Sequence, residues 1–187
     1  MAFVTVYAED CILSGELTLG PSRLSDLLND RTDQTLVNVT ATSLADRSIV
    51  EVQELTISGE EILAVETDDG RGDPARRRRT RQFPLVVRLG PYVARGYFHA
   101  LPGADPVDSF RRRPAFVPLT DVRLEFGLGV ELGRAHCSTL LVNRELVDSV
   151  EEGVDDAVEL PDLPADTRET GKAKDLTYEL LVFDRGQ

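Results

Sequence analysis

The sequence is poor in the residues that most often carry out catalysis or hold a metal ion. It has two cysteines and two histidines among 187 residues, and no tryptophan. A zinc site needs three or four well-spaced ligands, whereas the adjacent His136 and Cys137 would point to opposite faces of a strand. We therefore expect neither a metal ion nor any other cofactor.

Signatures of catalysis and of nucleotide binding are also missing. Neither of the two glycine-rich phosphate-binding patterns occurs in the chain. A cysteine nucleophile needs a base within hydrogen-bonding reach. That requirement leaves Cys137 with His99 as one combination, but a small buried cysteine is the commoner interpretation. The sequence thus favours a protein that is not an enzyme.

Long apolar runs are absent, and so are the features of a secretion signal. No run approaches the roughly 18 apolar residues that a membrane helix requires, and the first residues, MAFVTVYAEDC, carry no basic segment. The two cysteines lie far apart, which is typical of a reduced compartment. We expect a cytoplasmic protein with no membrane contact, and the excess of arginine over lysine indicates a bacterial origin.

Charge is unevenly distributed along a chain whose net charge is -12. Residues 1–70 carry -11, residues 71–134 carry +7 and residues 135–187 carry -8. Five arginines fall between positions 76 and 81, in a stretch rich in glycine, proline and charge. Such a stretch cannot bury enough apolar surface to offset its ordering entropy, so we predict an exposed linker over residues 69–82.

Similar segments lie on both sides of this linker and predict a duplicated unit. Ungapped alignment places 3–15 over 84–96, 35–44 over 115–124, and 55–66 over 140–151. The second of these alignments sets Val37 against Val117. The alternative is a single larger β domain whose strands resemble one another only in their general pattern.

Each predicted unit contains five short strands, since apolar residues alternate with a period near two. Gly15 lies inside the second strand and predicts a bend or bulge there. A short helix is predicted over residues 21–30, after the second strand, whereas Pro106 and Pro114 confine its counterpart to a turn or two. Five strands in so few residues favour a small closed barrel, so we predict a mainly β protein with two tandem five-stranded barrels, over residues 1–68 and 83–152.

Two resemblances accompany this pattern. The run V-x-V…ILSGEL…LVNVT…ELTISGEEILAVE resembles the Sm-like β-barrel, whose last two strands are joined by a tight turn carrying a glycine. That resemblance implies RNA as a ligand, held by a basic residue and glycine in this turn, where the chain has SGE at 58–60 and NRE at 143–145. The segments RLSDLLN and FVPLTDV resemble an uncharacterised bacterial domain, which implies no activity.

The last part of the chain predicts an acidic linker, residues 153–175, followed by one more strand within residues 176–187. A lone strand is unstable, so this one is expected to pair with an open sheet edge of its own chain or of a neighbour. We therefore predict a non-enzymatic assembly or adaptor module that binds a protein partner or another copy of itself through strand edges. The alternative is an RNA-binding Sm-like protein that uses its arginines, although the net charge makes nucleic acid an improbable partner. The candidate interaction residues are Arg76, Arg77, Arg78, Arg79, Arg81, Arg111, Arg112, Arg113, Arg144, Tyr178, Leu180 and Val182.

Overall fold

The computed structural model describes residues 1–19, 23–30, 33–67, 80–128 and 131–154. The elements of the first half are β1 (Ala2–Tyr7), β2 (Cys11–Leu17), α1 (Leu24–Asp30), β3 (Asp33–Ser43), β4 (Ile49–Ser58) and β5 (Ala64–Thr67). Those of the second half are β6 (Arg81–Leu89), β7 (Tyr92–Ala100), α2 (Pro106–Arg111), β8 (Phe116–Leu128), β9 (Glu131–Asn143), a 3₁₀ turn (Arg144–Leu146) and β10 (Ser149–Glu152). The prediction of a mainly β protein is confirmed.

All ten strands belong to one antiparallel sheet, in the order β10-β6-β7-β8-β9-β5-β1-β2-β3-β4. Within each half the fifth strand precedes the first, second, third and fourth strands in this order. The two halves therefore have the same internal strand order. They meet where β5 of the first half pairs with β9 of the second half.

Corresponding irregularities interrupt the sheet in both halves. The register of β2 against β3 shifts between Ser14 and Glu16, and that of β7 against β8 shifts between Arg95 and Tyr97. The predicted bulge at Gly15 is therefore confirmed. A Cβ added at Gly15 would lie 3.1 Å from the carbonyl oxygen of Val37, so a side chain has little room at the point where the two strands approach.

The strand pairing corrects one of the three sequence alignments. The pairs Glu16–Val37 and Tyr97–Thr120 occupy equivalent places beside the two bulges. Val37 thus corresponds to Thr120, three residues from the Val117 that the alignment assigned to it. The next residues, Asn38 and Asp121, both have a left-handed backbone, with φ of 53° and 51°. The alignment failed because alternating apolar strands match one another at several offsets.

The two helices differ as the sequence predicted. α1 buries Leu24, Leu27 and Leu28 on one face, which is the face that their spacing indicates. α2 has only six residues, with Pro106 in its first turn and the side chain of Asp105 accepting a hydrogen bond from the backbone of Asp108. Residues 21 and 22, at the start of the predicted first helix, lie outside the described residues.

Two separate closed barrels, as predicted, are not seen. Neither half closes on itself, because β5 pairs with β1 on one side and with β9 on the other. The buried residues form two clusters, and each one includes side chains from the opposite half. Tyr7, Ile12 and Leu63 join the cluster of the second half, while Phe116 and Leu141 join that of the first. Burial across the join thus connects the two halves into one sheet.

Some predicted segments fall outside the part of the chain that the structure describes. These are the linker arginines Arg76–Arg79, the acidic segment after Val154, and the final strand with Tyr178, Leu180 and Val182. The end of the predicted linker needs a correction, because Arg81 and Gln82 belong to β6 and pair with Ala100 and His99. These two residues continue the alternating pattern of the strand, although the sequence assigned them to the basic linker.

Candidate interaction surface at the sheet edges

The sheet has two outer strands, β4 and β10, each of which pairs with one neighbour among the described residues. β10 is a four-residue strand, and its exposed end carries Glu151 and Glu152. β4 is ten residues long and mostly exposed. Natural edge strands are commonly short, charged or covered, which prevents pairing with other chains. β10 fits this description, whereas β4 is long, carries charge only at Glu51 and Glu54, and is not covered by any of the described residues.

Apolar side chains are exposed at the start of β4. Ile49 is 65% exposed, Val50 is 56% exposed and Val52 is 37% exposed. They stand on both faces of the strand, since consecutive residues point to opposite sides of a sheet. β4 therefore combines apolar surface with a backbone edge that no other described strand pairs with, and exposed apolar surface of this kind marks binding sites.

The β5–β9 join, which we call the internal joint, shows how this fold fills an equivalent edge. Its three residue pairs are Ala64–Val142, Val65–Leu141 and Glu66–Leu140. The backbone N–H of Asn143 donates to the carbonyl of Leu63 at 2.8 Å, and the Asn143 side-chain amide donates to the carbonyl of Ile62 at 3.0 Å. Strand pairing and a buried amide therefore act together at the internal joint.

Aromatic side chains complete the internal joint. Tyr7 packs edge-on against Tyr92, with ring centroids 5.4 Å apart, and Tyr92 lies 5.7 Å from Phe126. The hydroxyl of Tyr92 donates to the carbonyl of Ala8 at 2.7 Å. Buried aromatic clusters with a satisfied hydroxyl are among the more stabilising contacts between elements.

A cavity of about 520 Å³ lies beside β4, at the position that corresponds to the internal joint. We call it the β4 cavity. Apolar side chains line it, including Leu13, Leu55 and Ile57. Four acidic residues line it as well: Glu9, Asp10, Glu60 and Glu61. Apolar and anionic side chains together suit a ligand that is both apolar and basic.

Cys11 also lines the β4 cavity, with a half-buried side chain. The pKa of its thiol is raised to about 11, chiefly by burial and in addition by a hydrogen bond with Asp10 and by the negative charges of Asp10 and Glu61. The thiolate is the reactive form, so a thiol of this pKa is a poor nucleophile near neutrality. The other cysteine, Cys137, is fully buried.

The described arginines among the sequence candidates lie at one end of strands β6 to β9. Arg81 begins β6 and faces Ala100, Arg111 ends α2, and the backbone N–H of Arg144 donates to Ala115 at 2.7 Å. Arg112 pairs with Asp108 at 3.8 Å.

Arg113 and Arg144 at this end make contacts within the chain. The guanidinium of Arg113 donates to the carbonyl of His99 at 3.1 Å and lies 5.5 Å from the centre of the Phe98 ring. Arg144 pairs with Glu145 at 3.3 Å. The fold thus groups these residues, but uses several of them in contacts of its own.

Other chemistry is sparse in the described part of the chain. No group of three or more His, Cys, Asp and Glu side chains there could hold a metal ion. Cys137 is paired along the sheet with Val122, and His99 with Gln82. Neither α1 nor α2, nor the 3₁₀ turn, has the length and apolar character needed to cross a membrane.

Comparison with protein-family models finds no match, and comparisons with curated proteins and with solved structures find none either. The inference of function therefore depends on the geometry of the sheet edges.

Proposed function

We propose that this chain is a non-enzymatic assembly module, which binds a protein partner or another copy of itself through the unpaired edge of β4. The observation that carries the proposal is the internal joint, where two units of the same strand order are already held together edge to edge. At β4, which corresponds to β9, the same kind of edge is not covered by any strand of the described ranges.

The correspondence between β4 and β9 follows from their pairing with the preceding strands. Leu55 faces Leu36 in the first half, as Leu140 faces Leu119 in the second half. The residues that receive β5 at the internal joint, Leu140 to Val142, therefore correspond to Leu55 to Ile57 of β4. An added strand gains affinity from backbone hydrogen bonds and specificity from side-chain pockets. The backbone edge of β4 can supply the first, and the β4 cavity can supply the second.

We propose also that the two halves descend from one duplicated unit, and that each is an Sm-like set of five strands that has opened to join its neighbour. The support is the shared strand order, the two equivalent bulges, and the left-handed residues Asn38 and Asp121 that follow them. A left-handed backbone is uncommon outside glycine, so its occurrence at matching positions favours common descent over chance.

Blocking the edge of β4 tests the proposal. In β9 the N–H of Asn143 points to the joint, so alternation directs the N–H of Leu141 to it as well. Thr56 corresponds to Leu141, and Thr56→Pro would remove the matching donor while leaving the bonds to β3. Proline is tolerated at an edge where its nitrogen faces outward. Thr56→Val, which keeps the donor and loses the hydroxyl that contacts Thr35, is the matched control.

The measurement compares the amounts of each complex recovered from cells that produce the tagged full chain, either unchanged or with Thr56→Pro or Thr56→Val. We expect at least one complex, whether with another protein or with a second copy, to fall by about tenfold with Thr56→Pro, which corresponds to about 1.4 kcal/mol. Recovery with Thr56→Val should match that of the unchanged chain. If every recovered complex survives the proline substitution, β4 is not the binding edge and the proposal is wrong.

RNA binding is the second candidate function, and the observation that favours it is the grouping of arginines at one end of β6 to β9. Phosphate contacts of this kind weaken steeply with salt. Arg111→Ser with Arg112→Ser should then abolish an RNA mobility shift measured at low salt. Absence of any shift for the unchanged chain at low salt would rule this function out.

A further inference from the structure

We infer that the β4 edge takes a basic, strand-forming segment of a different protein, and that the chain's own acidic edge is repelled from it. The inference rests on the proposed function and specifies the partner. It follows from placing an incoming strand on β4 in the register that β5 adopts on β9, and from comparing the charges that then meet.

The free edge of the same chain, β10, is the first strand to consider. Val65 faces Val6, and Val150 faces Val87, in the same positions of the two halves, so β10 corresponds to β5. Placed on β4 in this register, Val150 would face Thr56 and Glu151 would face Leu55. The next pair along would be Glu152 against Glu54. Like charges directly opposite each other destabilise a strand pair.

Side chains around that pair would add to the repulsion. At the internal joint, Gly90 lies close to Leu63, since a Cβ added to the glycine would be 3.2 Å from the leucine side chain. If β10 of a second copy were added to β4, Glu9 would take the place of Gly90, and Asp148 of the second copy would take the place of Leu63. Tyr7, which packs against Tyr92 and Phe126, would be replaced by Arg88. This one arginine would attract the acidic residues of the β4 cavity, which offsets only part of the repulsion between the two acidic pairs.

The acidic residues near the β4 edge extend beyond the single Glu152–Glu54 pair. Glu51 and Glu54 are exposed on β4 itself, and the four acidic residues of the β4 cavity lie next to it. Opposite charges steer association and fix register. Glu51 shares a face of β4 with Leu55 and Ile57, which line the β4 cavity. A segment with arginine or lysine at alternate positions would meet Glu51 and the cavity carboxylates on this face, while its intervening apolar residues would cover Val50 and Val52 on the other.

One carboxylate already occupies the place of an incoming strand. The N–H of Ser58, which corresponds to Asn143, donates at 3.3 Å to the carboxylate of Glu61 in the turn that follows β4. At the internal joint the equivalent N–H donates to a carbonyl of the added strand, that of Leu63. An incoming backbone carbonyl would therefore replace Glu61, and the freed carboxylate would face the basic side chains of the segment.

The test uses the purified full chain and a fluorescent, end-capped heptapeptide of alternating valine and arginine. Two control peptides keep its length: one has glutamate in place of arginine, and one has N-methyl groups on alternate backbone nitrogens. Binding is measured by fluorescence anisotropy at low and at high salt. We expect the glutamate and N-methyl peptides to bind at least about tenfold more weakly, since one lacks the charge and the other the backbone donors.

Variants of the chain locate the site. Thr56→Pro should weaken binding of the arginine peptide by about tenfold, with Thr56→Val unchanged, because only proline removes the outward donor. Glu60→Gln with Glu61→Gln should weaken binding severalfold at low salt and little at high salt, because salt screens exposed charges. The N-methyl peptide keeps the test decisive even if Thr56→Pro reduces folding.

Three results would overturn the inference. The glutamate or N-methyl peptide could bind as tightly as the arginine peptide, or the arginine peptide could show no binding. Alternatively, light scattering could reveal self-association of the chain at low salt that Thr56→Pro abolishes. That last result would identify a second copy as the occupant and leave the proposed function standing, whereas survival of every cellular complex in the edge-blocked chain would reject the proposed function itself.

Discussion

The hydroxyl of Tyr92, at the start of β7, donates a 2.7 Å hydrogen bond to the carbonyl of Ala8, just after β1. This bond links the first strand of one half to the second strand of the other, and both residues are buried. It belongs to the same joint as the Asn143 amide and the Tyr7 ring. The integrity of the ten-stranded sheet should therefore depend on a few side chains at its middle.

Removing only this hydroxyl, with Tyr92→Phe, should lower the free energy of unfolding by about 1–3 kcal/mol, since the buried Ala8 carbonyl would lose a partner. The ring contacts with Tyr7 and Phe126 remain in this variant. Urea denaturation followed by circular dichroism measures the change. Tyr97→Phe, which removes a hydroxyl from a half-buried tyrosine away from the joint, should have a smaller effect. Equal effects of the two substitutions would show that the hydroxyl does not stabilise the joint.

The bulge glycines predict a ranking of alanine substitutions. A Cβ at Gly96 would lie 2.7 Å from Val122 Cγ2 and 3.0 Å from the carbonyl oxygen of Thr120. The corresponding contacts at Gly15 are 3.3 Å from Val39 Cγ2 and 3.1 Å from the Val37 carbonyl oxygen. Forcing a methyl group into such a space typically costs about 1–3 kcal/mol, and Gly96→Ala should cost more than Gly15→Ala.

Gly127 provides the control for this ranking, because nothing lies within 4 Å of a Cβ added there. Gly127→Ala should leave stability nearly unchanged, as measured by urea midpoints of all three variants. Should Gly96→Ala prove as stable as Gly127→Ala, the close approach of β7 and β8 at this bulge would be incorrect.

Much of the secondary structure could be predicted from the sequence, because it depends on local patterns. Alternating apolar residues marked the strands, and the spacing of Leu24, Leu27 and Leu28 marked α1. The bulge at Gly15 followed from a glycine within an otherwise regular strand. Each of these features depends on residues that are close together in the chain.

The arrangement of the strands could not be predicted in the same way. Apolar residues such as Leu141 and Val65 have the same pattern whether they face their own barrel or a neighbouring half, so the pattern does not identify the partner strand. The pairing of Val65 with Leu141 joins residues far apart in the sequence. The same strands are therefore expected in the sequence whether the chain closes into two barrels or continues as one sheet.

The sequence predicted the type of candidate site, a strand edge, but not the residues that form it. Strand edges were expected to bind partners, but the predicted residues were arginines and a terminal strand, and the β4 edge was missed. Ile49, Val50 and Val52 are exposed because β4 is the last strand of the sheet among the described residues, and an alternating pattern does not reveal which strand lies at an edge. A signal was available in Glu51 and Glu54, since charged residues often mark an edge strand.

The raised thiol pKa predicts the reactivity of Cys11. With a pKa of about 11, only a small fraction of the thiol is ionised at pH 7.5, and alkylation by iodoacetamide should be slow and should accelerate up to about pH 11. Asp10→Asn removes the neighbouring charge and its hydrogen bond, so it should lower the pKa and speed alkylation at a fixed pH. Mass spectrometry of the Cys11 peptide measures the rate, and Asp46→Asn, in a turn outside the β4 cavity, is the control. Unaltered rates in Asp10→Asn would contradict the contribution of Asp10 to the raised pKa.

The position of His99 predicts how stability responds to acid. Desolvation lowers the pKa of His99, and the charge of Asp121 opposes this effect only in part. A pKa that is lower in the folded chain than the unfolded value of 6.5 means that the unfolded chain binds the proton first as pH falls. The contribution of His99 to stability is thus complete above pH 6.5 and is lost as pH falls below it.

Proton NMR of the His99 imidazole checks this directly. Its resonance should titrate below pH 6.5, because desolvation of the half-buried ring lowers the pKa. His99→Gln should remove part of the loss of stability between pH 7.5 and pH 5.5 in urea denaturation, since glutamine does not titrate. If His99 titrated above 6.5, the charge of Asp121 would outweigh burial, and acid would stabilise this end of β7.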